Sequence, residues 1–419
     1  MLHGNAIVGQ SGGPTAAINA TLAGVIRGAL GEISAGGAIG RLYGMRNGVD
    51  GFLREDIVEL DRLFAPDADG NYTALDRLTL TPAAALGSCR RKLPAPGATD
   101  EAAVMDRLFD LFEKYDIRYF FYIGGNDSMD TVAKVSAYAE GRGYPMRVMG
   151  VPKTIDNDLV GTDHTPGFGS AAKYIAVTMQ EILRDTAVYT VPAVTIVEIM
   201  GRDAGWLTAA SALGRVVNGQ APDLVYLPER PFDMADFFAD LREAMTRKPN
   251  IVVAVSEGLE CADGTLVGAG TQSGAVDAFG HRYLAGTAKA LELAVKAEIG
   301  CKVRSIELNL PQRCAAHLVS AQDIDESLAV GEGAVTAAVS GVSRRMMTIN
   351  RISSDPYAFA IGHEDIFKIA NQTRTVPSEF INARGNHVTD ECLSYLLPLI
   401  RGERYPVYRD GLPCHWILA

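Results

Sequence analysis

The chain has 419 residues, of which 47% are hydrophobic and 21% are charged, an ordinary composition for a packed protein of one very large or two smaller α/β lobes. Its formal net charge of −11, without a long run of lysine or arginine, argues against nucleic-acid binding. The six cysteines are scattered and form no CxxC pair, which argues against a disulfide framework or a zinc site.

The N-terminal residues 1–8 carry no charged region followed by a long apolar stretch, so we expect no signal peptide. No apolar run is long enough to span a bilayer, and no basic amphipathic helix suggests a surface anchor. We therefore expect no membrane partner and a cytoplasmic location.

The chain opens with a strand, a glycine loop and a helix, predicted at Asn5–Gly9, 10–15 and Ala16–Leu30. Gly12 and Gly13 leave bare backbone N–H groups near a helix N-terminus, an arrangement that attracts anions. A tight turn into the helix explains the same pair equally well. The loop matches neither the dinucleotide-binding fingerprint nor the Walker A loop, so neither of those sites is supported.

Four later strands repeat this pattern, because each of them ends in a loop rich in Gly, Asp or Ser. The predicted strands are Ile117–Ile123, Arg147–Val151, Ala193–Ile199 and Asn250–Val255. In open α/β sheets, ligands bind at the carboxyl ends of the strands. We therefore expect the chemistry of this protein in these loops.

The loop after the strand Ile117–Ile123 reads GGNDS over residues 124–128 and precedes a helix predicted at Met129–Glu140. Asn126 and Asp127 offer oxygen ligands of the kind that Mg²⁺ prefers. The alternative is a polar turn that caps the helix. The position directly after an apolar strand favours a functional loop.

The next loop, KTIDND over residues 153–158, contains an ammonium, a hydroxyl, an amide and two carboxylates at a strand end. Phosphoryl transfer to a hydroxyl needs a carboxylate to accept the hydroxyl proton and cations to offset the charge of the transferred group. A solvated turn could hold such residues by chance. Because the preceding glycine loop has the same placement, we favour a functional interpretation.

Several arginines and one glutamate follow these strands or lie near the loops. Arg202 follows Met200 and Gly201 directly after a strand, where a guanidinium suits bidentate phosphate recognition. Taken alone, each arginine is better explained as a surface residue, and Glu257 could either bind sugar hydroxyls or cap a helix. The remaining candidates are Arg90, Arg304 and Arg313.

Taken in order, the motifs GGNDS at 124–128, PKTIDND at 152–158, MGR at 200–202 and SEG at 256–258 resemble the phosphofructokinase family. Arg304 and Arg313 fall at matching separations, and the likeness covers roughly residues 5 to 350. Each motif alone is weak, but the ordered set is specific.

The resemblance implies transfer of a phosphoryl group to the C1 hydroxyl of fructose 6-phosphate, with Asp156 as the general base. It implies that the other catalytic residues are Lys153, Asp127 and Arg202. It implies that the sugar phosphate is bound by Thr154, Ile155, Asp158, Met200, Gly201, Glu257, Arg304 and Arg313. The donor phosphates would contact Gly12, Gly13 and Arg90, and Mg²⁺ would lie at Asn126, where the family usually has aspartate.

Two positions predict the phosphoryl donor. Asp127 and Lys153 stand where ATP-using members of the family have glycines, as in the pyrophosphate-dependent branch. A carboxylate at 127 would repel the α-phosphate of ATP, and an ammonium at 153 would supply charge that the small pyrophosphate needs. We therefore expect a reversible reaction with pyrophosphate.

The resemblance also implies a phosphofructokinase fold of class α/β, with two similar three-layer lobes and mostly parallel sheets. The donor-binding lobe is expected at 1–165 and about 317–360, the sugar-phosphate lobe at 166–316, and an extension packed on both at 361–419. In the family Arg304 comes from a neighbouring subunit, which implies a homo-oligomer, either a dimer or a tetramer.

Three alternatives accompany this prediction. The first is an ATP-dependent 6-phosphofructokinase, against which residues 127 and 153 argue. The second is a nicotinamide-nucleotide kinase, against which the sugar-phosphate arginines and the TIDND loop argue. The third is a catalytically silent regulatory subunit, which should have lost some of the four catalytic residues, yet all four are present.

Overall fold

The computed structural model describes residues 2–271 and 286–418. The strands in this part of the chain are β1 Gly4–Gln10, β2 Ile39–Met45, β3 Ile57–Glu59, β4 Ile117–Gly124, β5 Arg147–Pro152, β6 Ala193–Ile199, β7 Leu224–Tyr226, β8 Asn250–Ser256, β9 Lys302–Glu307, β10 Arg345–Ser354, β11 Tyr357–Asp365, β12 Tyr408–Arg409 and β13 Leu412–Pro413. The helices are α1 Ile18–Ser34, α2 Gly48–Leu53, α3 Leu60–Leu63, α4 Thr73–Thr79, α5 Glu101–Lys114, α6 Asn126–Arg142, α7 Phe168–Thr186, α8 Trp206–Ala210, α9 Gly214–Asn218, α10 Met234–Met245, α11 Thr287–Glu298, α12 Ala321–Val339 and α13 Asp390–Leu396.

The first of the two large sheets has seven strands in the order β11-β10-β5-β4-β1-β2-β3. Its five central strands are parallel, whereas the edge strands β11 and β3 are antiparallel to their neighbours. Alternate side chains of β1 enter different cores: Val8 packs with α1 and α12, and Ile7 packs with α5 and α6. This sheet is therefore covered by helices on both faces, as parallel sheets generally are.

The second sheet has four parallel strands in the order β7-β8-β6-β9. Val197 of β6 packs against α7, α8 and α13, whereas Ile196 packs against α10 and α11 on the opposite face. Both lobes thus have three layers around mostly parallel sheets, which confirms the predicted fold class. The sheets differ in size, with seven and four strands.

The chain crosses between the lobes more than once. Helix α12 packs on α1 and returns the chain to the first sheet, where β10 pairs with β5. Strand β11 continues to Asp365, so this sheet extends beyond the predicted lobe limit of about 360. The tail contacts both lobes, because α13 lies in the core around the second sheet and the Trp416 ring lies 4.8 Å from the Phe64 ring of the first lobe, at an interplanar angle of 40°.

All five predicted strands are present, with ends that shift by at most one residue. The helix predicted from Met129 begins earlier, at Asn126, so Asn126 and Asp127 occupy the first helical turn rather than a loop. A carboxylate in a first turn is favoured by the partial positive charge of the helix N-terminus. Among the described residues, no helix is long and apolar enough to cross a membrane.

Candidate active site

A polar cleft of about 460 Å³ lies where strand ends of the two sheets face each other. Most of the predicted site residues line it together. The lining residues are Gly12, Gly13, Pro14, Thr15, Arg90, Lys92, Gly125, Asn126, Asp127, Ser128, Lys153, Thr154, Ile155, Asp156, Asp158, Met200, Arg202, Asp203, Glu257, Arg313, Asn371 and Thr373.

The glycine loop after β1 brings backbone close to two cations. Gly12 has a φ of +76°, which a residue with a side chain rarely adopts, and a Cβ at this position would lie 3.5 Å from Lys153 Nζ. A Cβ on Gly13 would lie 3.2 Å from a guanidinium nitrogen of Arg313. Glycine at both positions therefore keeps space open beside two positive charges, which favours the interpretation as an anion cradle over that of a simple turn.

Lys153 is buried at the end of β5, with 3% of its surface exposed. Its Nζ donates a hydrogen bond of 2.5 Å to the Gly13 carbonyl oxygen, which ties the two predicted donor loops together. Burial lowers the pKa of Lys153 to about 8, although the charges of Asp156 and Asp158 act in the opposite direction. The ammonium is therefore an electrostatically costly group held inside the cleft.

Two carboxylates follow on the same loop. Burial raises the pKa of Asp156, against the opposing effects of a 3.3 Å hydrogen bond from Thr154 Oγ1 and of the charges of Lys153 and Arg202. Burial and the neighbouring Asp156 raise the pKa of Asp158 to about 7. Within the described residues, Asp158 Oδ1 is buried without a hydrogen-bond partner, and Asp158 is one of the residues that line the cleft.

The second lobe contributes a separate group of residues. Gly201 donates its N–H to Glu257 Oε1 at 3.2 Å, but Gly201 is not itself one of the residues that line the cleft. Burial raises the pKa of Glu257 to about 8, and burial together with the charge of Arg90 lowers the pKa of Arg313. A neutral acid and a guanidinium are suited to sugar hydroxyls and to a phosphate, respectively.

Arg304 does not reach this cleft within one protomer. It lies exposed on the edge strand β9 and borders a different surface groove with Tyr189 and Lys302. The family resemblance implies that Arg304 contributes to the sugar-phosphate site of a neighbouring subunit. Its exposed position on the protein surface is compatible with that prediction.

Asn126 has an arrangement that the sequence did not predict. Its Oδ1 accepts the Asn371 backbone N–H at 2.7 Å, and its Nδ2 donates to the Gln372 carbonyl oxygen at 2.8 Å. The only Asn126 side-chain atom able to bind a metal is thus engaged with the C-terminal tail. The adjacent Asp127 carboxylate lies 3.3 Å from Lys92 Nζ.

Sequence reasoning did not single out eight of the lining residues as ligand-binding. They are Pro14, Thr15, Lys92, Gly125, Ser128, Asp203, Asn371 and Thr373. Six of them lie within or beside motifs already considered, so proximity along the chain could have indicated them. Asn371 and Thr373 belong to the tail, and no local pattern marks them.

The cleft has the donor chemistry expected for Mg²⁺. No group of three or more His, Cys, Asp or Glu side chains among the described residues forms a ready metal cage. Mg²⁺ usually keeps several waters and binds through one or two carboxylates and substrate phosphates, so a preformed cage is not needed. The carboxylates of Asp127, Asp156 and Asp158, including the unpaired Asp158 Oδ1, fit that role better than Asn126 does.

Comparison with known proteins gives consistent matches. Residues 5–337 match the family model described as phosphofructokinase. Pyrophosphate--fructose 6-phosphate 1-phosphotransferases from Halomonas elongata and Xanthomonas campestris are each 42% identical to this chain, and each alignment covers 99% of this chain and 96% of the relative. The crystal structure of a pyrophosphate-dependent phosphofructokinase from Nitrosospira multiformis superposes with a TM-score of 0.86 at 39% identity, over 98% of this chain and 95% of that one.

Proposed function

Because the chain belongs to the phosphofructokinase family, we propose that it transfers a phosphoryl group from inorganic pyrophosphate to the C1 hydroxyl of fructose 6-phosphate. The products are fructose 1,6-bisphosphate and phosphate, and the reaction runs in both directions. One observation carries the donor assignment: the buried Lys153 ammonium is fixed against the Gly13 carbonyl in a cleft that Asp127 also lines.

Asp156 is the group that accepts the proton of the C1 hydroxyl. Burial strengthens it as a base, and the charges of Lys153 and Arg202 favour its ionised form. As this proton moves to Asp156, the C1 oxygen forms a bond to one phosphorus of pyrophosphate and the bridging P–O bond breaks. The leaving phosphate takes the bonding electrons, and Lys153 and Arg202 offset the negative charge that develops.

The donor end of the cleft is built for a small and highly charged molecule. Lys153 and Arg90 supply positive charge at the end of the cleft that the Gly12–Gly13 loop lines. The Asp127 carboxylate adds a repulsive element against a third phosphate at this end, which favours pyrophosphate over ATP. Mg²⁺, bound through Asp127 or Asp158 and donor oxygens, would neutralise part of the phosphate charge when present.

The sugar phosphate occupies the side of the cleft formed by the second lobe. Glu257 faces a sugar hydroxyl, the segment Met200–Arg202 lines the sugar, and Arg313 binds the 6-phosphate together with Arg304 of a second copy of the chain. Edge strand β9 and the exposed side chains of Val188 and Tyr189 support a subunit interface at this surface. The free cysteines of the chain support the expected cytoplasmic location.

The test is phosphorylation of fructose 6-phosphate by the purified protein with Mg²⁺, measured with pyrophosphate and with ATP side by side. We expect activity with pyrophosphate and none above background with ATP. Asp156→Ala is the matched control, because loss of the general base should lower kcat by about two to four orders of magnitude while leaving sugar binding largely intact. Activity with ATP alone would contradict the donor assignment, and near-normal kcat in the variant would contradict the role of Asp156.

A further inference from the structure

The segment 371–374, termed the strap below, belongs to the tail and contributes residues to the wall of the cleft. It lies beyond residue 337, where the match to the family model ends. Asn371 and Thr373 nevertheless line the cleft together with Asp127 and Lys153. The strap therefore lies outside the segment that the family model matches and forms part of the wall of the site.

Asn126 holds one end of the strap through a paired contact with its backbone. The amide accepts the Asn371 N–H at 2.7 Å and donates to the Gln372 carbonyl at 2.8 Å. An amide can do both at once, whereas an ionised carboxylate can only accept. This contact explains asparagine at a position where the motif resemblance leads one to expect aspartate.

Arg374 holds the other end of the strap. Its backbone N–H donates to the Asp158 carbonyl oxygen at 2.7 Å, next to the catalytic loop. Its guanidinium donates to the Thr162 carbonyl at 2.9 Å and to the Tyr395 hydroxyl at 3.0 Å, and it lies 4.6 Å from the ring centroid of Trp206. The strap is thus fixed at two points, one beside Asp127 and the other beside Asp158.

We propose that Asn126 is a positioning residue that clamps the strap as the end wall of the donor site, and that this wall limits the donor to two phosphates. This inference rests on the proposed function, because it assigns the specificity of the same site. Asp127 opposes a third phosphate by charge, and the strap opposes it by occupying space. Releasing the strap should therefore admit longer donors even with Asp127 unchanged.

The experiment is Asn126→Asp, compared with the wild type in the ratio of kcat/KM for pyrophosphate to kcat/KM for tripolyphosphate. The new carboxylate cannot donate to the Gln372 carbonyl and repels it, so we expect the ratio to fall by about tenfold or more. The substitution preserves side-chain size and places an anion at a helix N-terminus, so α6 should remain folded. The KM for fructose 6-phosphate should change less than about twofold, because the sugar side of the cleft does not contact Asn126.

A second readout does not depend on activity. Trypsin cleavage after Arg374, followed by mass spectrometry, should be faster in Asn126→Asp than in the wild type. Gln372→Ala is the matched control, since only its backbone carbonyl contacts Asn126 and its side chain is exposed. Asn126→Leu, which is similar in size but can neither accept the Asn371 N–H nor donate to the Gln372 carbonyl, should reproduce both changes.

The proposal would be overturned if the two variants that break the contact between Asn126 and the strap were cleaved after Arg374 at the wild-type rate and kept the wild-type ratio of kcat/KM for pyrophosphate to kcat/KM for tripolyphosphate. A lower Mg²⁺ requirement in Asn126→Asp, without change in either readout, would instead make position 126 a metal position and equally overturn it. A wild-type protein that does not use pyrophosphate would refute the proposed function, whereas the cleavage comparison would still decide whether Asn126 clamps the strap.

Discussion

At the scale of single residues, the cleft concentrates ionisable groups that burial has shifted from their usual titration ranges. The pKa of Lys153 is lowered to about 8 and that of Glu257 is raised to about 8, in both cases chiefly by burial. Such shifts cluster where a protein binds and transforms charged ligands, because desolvated groups interact strongly with each other and with a substrate. These residues consequently govern how activity and stability depend on pH.

Lys153→Arg should abolish the alkaline decline in the pH dependence of kcat/KM for pyrophosphate. In the wild type we expect kcat/KM for pyrophosphate to decline as pH rises through about 8, because Lys153 loses its proton and with it the charge that binds the donor. A guanidinium stays protonated throughout this range, so the variant should show no such decline, even where its absolute activity is lower. Initial rates between pH 7 and 9.5 measure this; an identical alkaline limb in both proteins would assign it to another group.

Asp158→Asn should stabilise the unliganded protein at high pH. The folded-state pKa of about 7 lies above the ordinary aspartate value of 3.8, so this group contributes stability below the unfolded pKa and loses it as pH rises through about 7. The variant has no such titration, and its Tm should exceed that of the wild type above pH 7. The difference should shrink as pH falls towards 4. A Tm difference that stays constant from pH 5 to 8 would argue against a titrating Asp158.

At the scale of elements, α12 supports the catalytic loop although it packs on the first sheet. The Glu326 carboxylate is 2.7 Å from Nε2 of the buried His164, and Asp163 is 2.8 Å from Nδ1 of the same ring. Burial lowers the pKa of His164, but the two carboxylates outweigh it and raise the pKa to about 9, so the imidazole is charged at neutral pH. Asp323, also on α12, accepts the backbone N–H of Gly167 at 2.8 Å. The helix thereby fixes the segment that follows the TIDND motif.

Glu326→Ala should destabilise the protein strongly, because it leaves the charged His164 buried with one partner fewer. We expect a loss of about 3 to 5 kcal/mol in the free energy of unfolding at pH 7, measured by urea denaturation. Glu332→Ala is the control on the same helix. Its ion pair with Arg27 at 3.1 Å is exposed, so the loss should stay below about 1 kcal/mol. Equal losses in the two variants would contradict a special role for the buried pair.

At the scale of the whole molecule, the proposed binding of the 6-phosphate by Arg304 would need a second copy of the chain, because Arg304 lies outside the cleft of its own protomer. Arg304 lies on β9, at the edge of the second sheet and away from its own cleft, whereas Arg313 lines the cleft of the same protomer. An interface in which each copy lends a residue to the other is typical of symmetric dimers.

Co-expression of Arg304→Ala with Asp156→Ala tests this assembly. Each variant alone should be nearly inactive, but a mixed dimer contains one site with both Asp156 and the other copy's Arg304. Random pairing should restore about a quarter of wild-type activity, since half of the dimers are mixed and each has one intact site. Co-expression of Arg313→Ala with Asp156→Ala is the control, because both residues act in the same protomer and no activity should return. No recovery in the first pair would place Arg304 outside the partner's site.

The sequence by itself determined the buried strands, the α/β class and most of the cleft. Those features are local: an apolar run such as Ile117–Ile123 forms a strand, and the loop directly after it lies at the carboxyl edge of the sheet, where ligands bind. The family resemblance and the donor residues Asp127 and Lys153 could be predicted from the sequence for the same reason, since each motif is a contiguous segment.

Only the tertiary structure decided which distant segments complete the site. Asn126 and Asn371 are 245 positions apart along the chain, and nothing in the sequence around either residue predicts that the two make contact. The strap and the support of the catalytic loop by α12 likewise depend on how folded elements pack against one another. Hydrophobic periodicity predicts that a helix or strand forms and which of its faces is buried. Which other element packs against that face depends on packing across the whole chain.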